Sequence, residues 1–172
     1  MFRKKIFSED GIEKTISECR LFKGLSSSEL KQIIETVHIR EYAADEKIFE
    51  EGTVGLCFYI IVKGKVEIIA DGASPSKQKV IKTFDDGGFF SEAHLFAETN
   101  HTVSCVAKEL TKLIIFAKPD FDAIIKIKPK TANKLLLNFL EFMSGQLEVL
   151  YKENKELIES SPAAAEKSQQ NV

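Results

Sequence analysis

The chain has 172 residues, 44% hydrophobic and 29% charged, with a formal net charge of -2. That suffices for one domain with a sizeable core and is too short for two ordinary ones. The near-neutral balance gives no global pull toward nucleic acid or anionic lipid.

Cys19, Cys57 and Cys105 are odd in number and far apart, with no CxxC pair, so neither a disulfide framework nor a zinc site is indicated. A four-cysteine iron–sulfur cluster is excluded by count. A reducing compartment, the cytoplasm, is expected. No apolar run reaches transmembrane length, which argues against membrane insertion. Residues 1–7 carry basic side chains with no apolar stretch behind them and read as a frayed terminus rather than a secretory signal.

Residues 11–38 read as helical, interrupted at Gly24. Ile12, Ile16 and Cys19 with Leu21 and Phe22 form the first amphipathic stretch. Ser26, followed three residues later by Glu29, is a capping-box pattern ahead of Leu30, Ile33, Ile34 and Val37.

From about 39 to 117 the pattern changes. Runs rich in β-branched and aromatic residues occur at 47–49, 58–62, 65–70, 79–84, 103–107 and 113–116, and 65–68 alternates strictly between polar and apolar. The breaks are Gly52, Gly55, Gly64, the segment 71–75 and the segment 85–88. Short strands at this spacing, with few helices between them, predict a mainly β fold: an antiparallel roll with jelly-roll character, N-terminal helices before it and a long C-terminal helix after it.

Residues 119–127 return to helix with Pro119 in the first turn. Pro129 breaks it, a longer helix runs from about Lys130 to Glu159, and a small polar tail expected to be disordered follows. The expected division is an N-terminal helical extension (1–19), the roll (20–129), the long helix (130–159) and the tail (160–172).

One segment reads as more than packing. Gly87 and Gly88 lead into Ser91, a good helix N-cap, and a short apolar stretch through Phe96. A helix start reached through glycines offers free backbone N–H donors and the positive end of the helix dipole, which suits an anion; the alternative is a simple cap.

The order of pieces resembles the cyclic-nucleotide-binding domain family: residues 21–25 ahead of a capped helix, 49–52, 58–66 with Gly64, then Gly88-x-Phe90-Ser91-Glu92-Ala93-x-Leu95-Phe96, a strand pair ending at Ala107, and Phe121 with Pro129 before a long helix. The resemblance spans about 20–155. It implies a regulatory β-roll whose ligand is cAMP or cGMP, with no other cofactor. In the family's phosphate-binding cassette a glutamate accepts from the ribose hydroxyl, backbone amides cradle the phosphate, and an arginine about nine residues later pairs with it.

Carried over by position, Glu92 is the ribose acceptor and Ala93 and His94 are the amide donors. His101 stands at the arginine position, followed by Thr102, while Ser91 replaces a glycine and Leu56 a polar residue. Histidine offers fewer donors than arginine and no permanent charge, so weak or lost nucleotide binding is expected, strengthening as pH falls from 8 toward 6. The other reading of His101 is a surface turn residue, and of Glu92 a carboxylate near a helix start.

Along the last helix, Asn133, Leu136, Leu140, Met143, Leu147, Leu150, Asn154 and Leu157 are spaced alternately three and four apart, an unbroken heptad seam with the asparagines at a positions. The expectation is a homodimer through this face, as in related bacterial regulators. The alternative, packing on the chain's own roll, applies mainly to 135–142.

Two functional readings follow: a dimeric module sensing a small anionic ligand, or a scaffold that keeps the fold and binds a protein partner. Only a short tail follows the long helix, so direct DNA recognition is not expected. No activated nucleophile or paired-carboxylate motif indicates an enzyme.

Overall fold

The computed structural model describes residues 9–70 and 78–160; the first residues, the segment 71–77 and the tail lie outside that range. The described chain runs through α1 (Glu9–Glu18), a 3-10 turn (Arg20–Phe22) and α2 (Ser27–Thr36). Ten strands follow: β1 (His38–Tyr42), β2 (Lys47–Phe49), β3 (Val54–Gly55), β4 (Cys57–Lys63), β5 (Val66–Ala70), β6 (Lys79–Phe84), β7 (Phe89–Phe90), β8 (Thr99–Asn100), β9 (Ser104–Ala107) and β10 (Thr111–Ala117). A 3-10 turn (Glu92–Leu95) sits between β7 and β8, and α3 (Lys118–Ile127) and α4 (Pro129–Ser160) close the chain.

The strands form two four-stranded antiparallel sheets, β1-β10-β4-β7 and β2-β9-β5-β6, and a small β3-β8 pair. This is the expected roll with flanking helices.

The uninterrupted hydrophobic run in β4 has a simple cause: its sheet is covered on both faces. Phe58 and Ile60, with their β10 partners Phe116 and Ile114, face the helices and are fully buried beside Ile16, Phe22, Ile33, Phe121, Leu135 and Phe139. Tyr59 and Ile61, with Ile115 and Leu113 opposite, face the second sheet and pack with Tyr42, Val66, Phe90, Cys105 and Ala107. The period-two alternation of a strand thus feeds two separate cores.

Three boundaries differ from the sequence reading. The second helix stops at Thr36, and Val37, counted there as helical, is extended (φ -77°, ψ 155°) and leads straight into β1. The first helix ends at Glu18, so Leu21 and Phe22 reach the core from the 3-10 turn. Strand β5 begins at Val66 rather than Lys65; Val66 and Ile68 pack on the same core as the alternation over 65–68 requires, and a bulge after Ile68 then turns Ile69 inward.

The capping box at Ser26 forms: its N–H donates to Glu29 Oε2 at 2.7 Å, and its hydroxyl accepts from the Glu29 N–H at 3.4 Å. Glu29 also receives Lys134 Nζ at 2.8 Å and the Thr131 hydroxyl at 3.2 Å, tying α2 to α4. Lys134 first, then the Ser26 amide, hold its carboxyl down at about 2. Asn138 makes a second tie, its side-chain amide donating to the carbonyls of Leu21 and Lys23. Between α3 and α4 stands Lys128 alone, driven out of helical geometry (φ -130°, ψ 58°) by the proline that follows it.

Gly64 makes a close backbone contact in the roll. It holds φ +113°, donates its N–H to Asp86 Oδ1 at 2.7 Å, and leaves no room for a Cβ, which would sit 2.5 Å from Thr111 Oγ1 and 2.7 Å from Thr111 Cα. Gly64→Ala combines backbone strain with a clash against main chain, and is expected to lower unfolding free energy by about 2 kcal/mol or more. Urea titration followed by circular dichroism measures this; a loss below about 0.5 kcal/mol would contradict the packing described.

Candidate functional site

A cleft of about 480 Å3 opens where the second sheet, the segment 87–92 and the helical layer meet, within the range of about 300–1,000 Å3 usual for small-molecule pockets. One wall comes from the turn between β6 and β7. Gly88 N donates to Asp85 O, Gly87 N to Ile61 O, and Ile61 N to Gly88 O, each at 2.8 Å, so the turn is stitched to β4. Gly87 holds φ +77°, and a Cβ at Gly88 would meet Asp85 O at 2.8 Å.

The chain then passes Phe90 and reaches Ser91, a non-glycine residue in the left-handed region (φ 66°, ψ 22°). Ser91 does not act as the expected cap: its hydroxyl makes no capping hydrogen bond and is buried without a partner. Strain at such a position costs about 1 kcal/mol or more, which a glycine would not incur.

Glu92 opens the 3-10 turn and lines the cleft. Burial raises its carboxyl pKa, against the pull of a hydrogen bond from its own N–H and of the nearby cations Lys82 and Arg20. Ala93 is exposed. The His94 amide, expected to point at a ligand, turns back onto Ser91 O at 3.3 Å. The His94 ring packs where a Cβ on Gly55 would stand and lies 3.3 Å from the Thr99 hydroxyl. Thr102 is exposed on the cleft rim, and Leu56 is 38% exposed.

His101 is not a surface turn residue. It is 6% exposed and stacked face to face on Phe49, with centroids 3.8 Å apart and planes 6° apart. His94 meets its edge at 4.3 Å. Behind Phe49 the array continues through Tyr59 at 5.9 Å and Phe90 at 6.2 Å, themselves stacked at 5.1 Å. Burial, with a smaller contribution from His94, brings its pKa down to about 4. His101 is therefore neutral from pH 8 to 6, and the expected strengthening of anion binding over that range has no source in this ring.

Two cations that sequence reasoning missed line the same cleft: Arg20, from the turn after α1, and Lys82, from β6. They stand 72 and 10 residues before Glu92, and only the packing of the helical layer and the pairing of β6 bring them together. Phe142 and Gln146 of α4 complete that side.

The roll thus carries a short turn over an open cleft, with a carboxylate and two cations at its wall. A family profile described as the cyclic nucleotide-binding domain matches residues 39–128, and the chain belongs to that family.

Among curated relatives, the cAMP-dependent protein kinase regulatory subunit of Schizosaccharomyces pombe is 27% identical over 78% of this chain and 29% of its own length. The cyclic AMP receptor protein of Thermus thermophilus is 28% identical over 67% of this chain and 53% of its own. The crystal structure of the Thermus thermophilus catabolite activator protein superposes with a TM-score of 0.70 at 25% identity, covering 80% of this chain and 62% of that one. The chain thus spans about half or less of these curated relatives' lengths.

A histidine kept neutral by folding makes stability depend on pH. The unfolded chain protonates near pH 6.5 and the folded site only near 4, so the unfolded state binds more protons between these values and stability falls as pH drops through them. His101→Phe keeps the stack on Phe49 and removes the proton. Relative to this variant, the wild type is expected to lose about 2 kcal/mol between pH 7 and pH 4.5. Urea midpoints at both pH values measure it; parallel curves would show that His101 titrates normally.

Proposed function

We propose that this protein is a regulatory cyclic-nucleotide-binding-like module, sensing a small anionic ligand of the cAMP or cGMP type and signalling through a dimer of α4. The roll (20–129) senses and the helix (130–159) transmits. Ser91, Glu92, Ala93, His94, His101 and Thr102 surround the ligand in this reading. The observation that carries it is the cleft itself, walled by Glu92 and the segment 87–92 at the position where the resemblance puts the cassette.

Binding is weak, because a neutral, stacked imidazole stands at the arginine position. Loss of one charge-assisted hydrogen bond costs about 10- to 100-fold in affinity. The second reading, a scaffold with a protein partner, is favoured by the same stack of His101 on Phe49, which commits a face of that ring to packing.

The dimer reading rests on how α4 distributes its apolar residues. Ala132, Leu135 and Phe139 are buried against the chain's own core, and Leu136 and Phe142 pack beside them. Leu136, expected in the seam, is thus turned to the chain's own core, while further along the seam Leu140 is 62% exposed, Leu147 50% and Leu157 66%. Met143 and Leu150 are also exposed, as are the asparagines 133 and 154. An a/d seam with two a-position asparagines matches a second copy of itself in register.

Calorimetric titration with cAMP and cGMP tests the sensing: dissociation constants above about 10 µM are expected, nanomolar binding would overturn the weak-site argument, and silence at millimolar nucleotide would leave the scaffold. Light scattering at tens of micromolar tests the dimer. Leu147→Glu with Leu150→Glu should yield monomers with the roll still folded, since both positions are exposed in the single chain; a wild-type monomer would overturn the assembly.

A further inference from the structure

The cleft is unevenly built. Its buried lining is aromatic: Phe90 at 3% exposure and the Phe49–His101 stack. Its charges stand outward. Arg20 and Lys82 are exposed, and each rests on an aromatic face; among the described residues neither forms an ion pair. The Arg20 guanidinium lies 4.1 Å from the Phe142 centroid and 5.9 Å from that of Phe89; the Lys82 ammonium lies 4.8 Å from the Phe84 centroid. A guanidinium laid over a ring keeps its in-plane N–H fork free for an oxyanion, and the ring fixes where the fork points.

The titratable groups lining the cleft are Arg20, Lys82, Glu92, His94 and His101. With the two histidines neutral, one carboxylate faces two cations, leaving one positive charge for a ligand to balance.

We infer that a ligand enters this cleft with its planar, apolar body toward Phe49 and Phe90 and its single anionic group outward, held by Arg20 and Lys82. This rests on the sensing reading above and reverses the orientation in which the phosphate would meet residue 101. The chemistry it selects is a flat aromatic ring carrying one negative charge, for which a cyclic nucleoside phosphodiester is the natural probe. Arg20 and Lys82 are then the residues that read the anion, and the helical layer touches the ligand through Arg20.

The experiment is calorimetry on the full chain with cAMP, cGMP and uncharged adenosine, using wild type, Arg20→Gln, Lys82→Gln, Lys82→Arg and His101→Ala, with thermal melts to confirm folding. Each glutamine variant should weaken cyclic nucleotide binding about 10-fold and leave adenosine unchanged. Lys82→Arg should retain affinity, and raising salt should weaken wild type more than either glutamine variant. Cyclic nucleotide affinity that ignores both glutamine substitutions, or adenosine binding that falls equally with them, overturns the anion site while the sensing reading stands. Wild-type silence toward both cyclic nucleotides at millimolar concentration overturns the two together.

Discussion

Everything in this molecule hangs on one sheet being buried twice. The strands β4 and β10 send alternate side chains into two cores, one shared with the helices and one with the second sheet. A fully buried Phe or Ile contributes about 1.5–3 kcal/mol, so neither core could lose its share of this sheet without endangering the other. The cleft inherits this rigidity. Its turn at 85–88 is bonded to Ile61 in the doubly buried strand, and Gly64 three residues further on is clamped by Asp86.

Against that frame the cassette is locally unsatisfied. Ser91 holds a left-handed backbone without being glycine, its hydroxyl is buried without a partner, and the His94 amide bonds within its own turn. His101, the residue expected at the arginine position, is a ring stacked on Phe49. Polarity has moved rather than vanished: the cations of the cleft sit at its exposed side, one of them on the helical layer.

What is locally determined was legible in local patterns. The capping box at Ser26, the strand runs around β4 and β10, the helix break at Pro129 and the length of α4 all follow from spacing and turn chemistry. Strand β1 escaped because four of its five residues are exposed, so no burial pattern marks it. Strands β3, β7 and β8 are two residues each and exist only through their partners. The burial of His101 escaped because its stacking partner lies 52 residues upstream. Arg20 and Lys82 look like ordinary surface cations until the tertiary fold sets them beside Glu92; the only hint in the sequence was the absence of an arginine at 101, which raises the question of where else positive charge could come from.

The seat of α4 has a mechanical consequence. Phe139 is its last fully buried residue, Gln146 lines the cleft about two turns on, and Ser160 ends the described helix. At a rise of 1.5 Å per residue these points lie about 10 Å and about 31 Å beyond the Phe139 seat. A straight rod pivoting at that seat multiplies displacement by the ratio of the two arms. A nudge of about 1 Å at Gln146 therefore arrives at Ser160 as about 3 Å, a leverage built into the length of the helix.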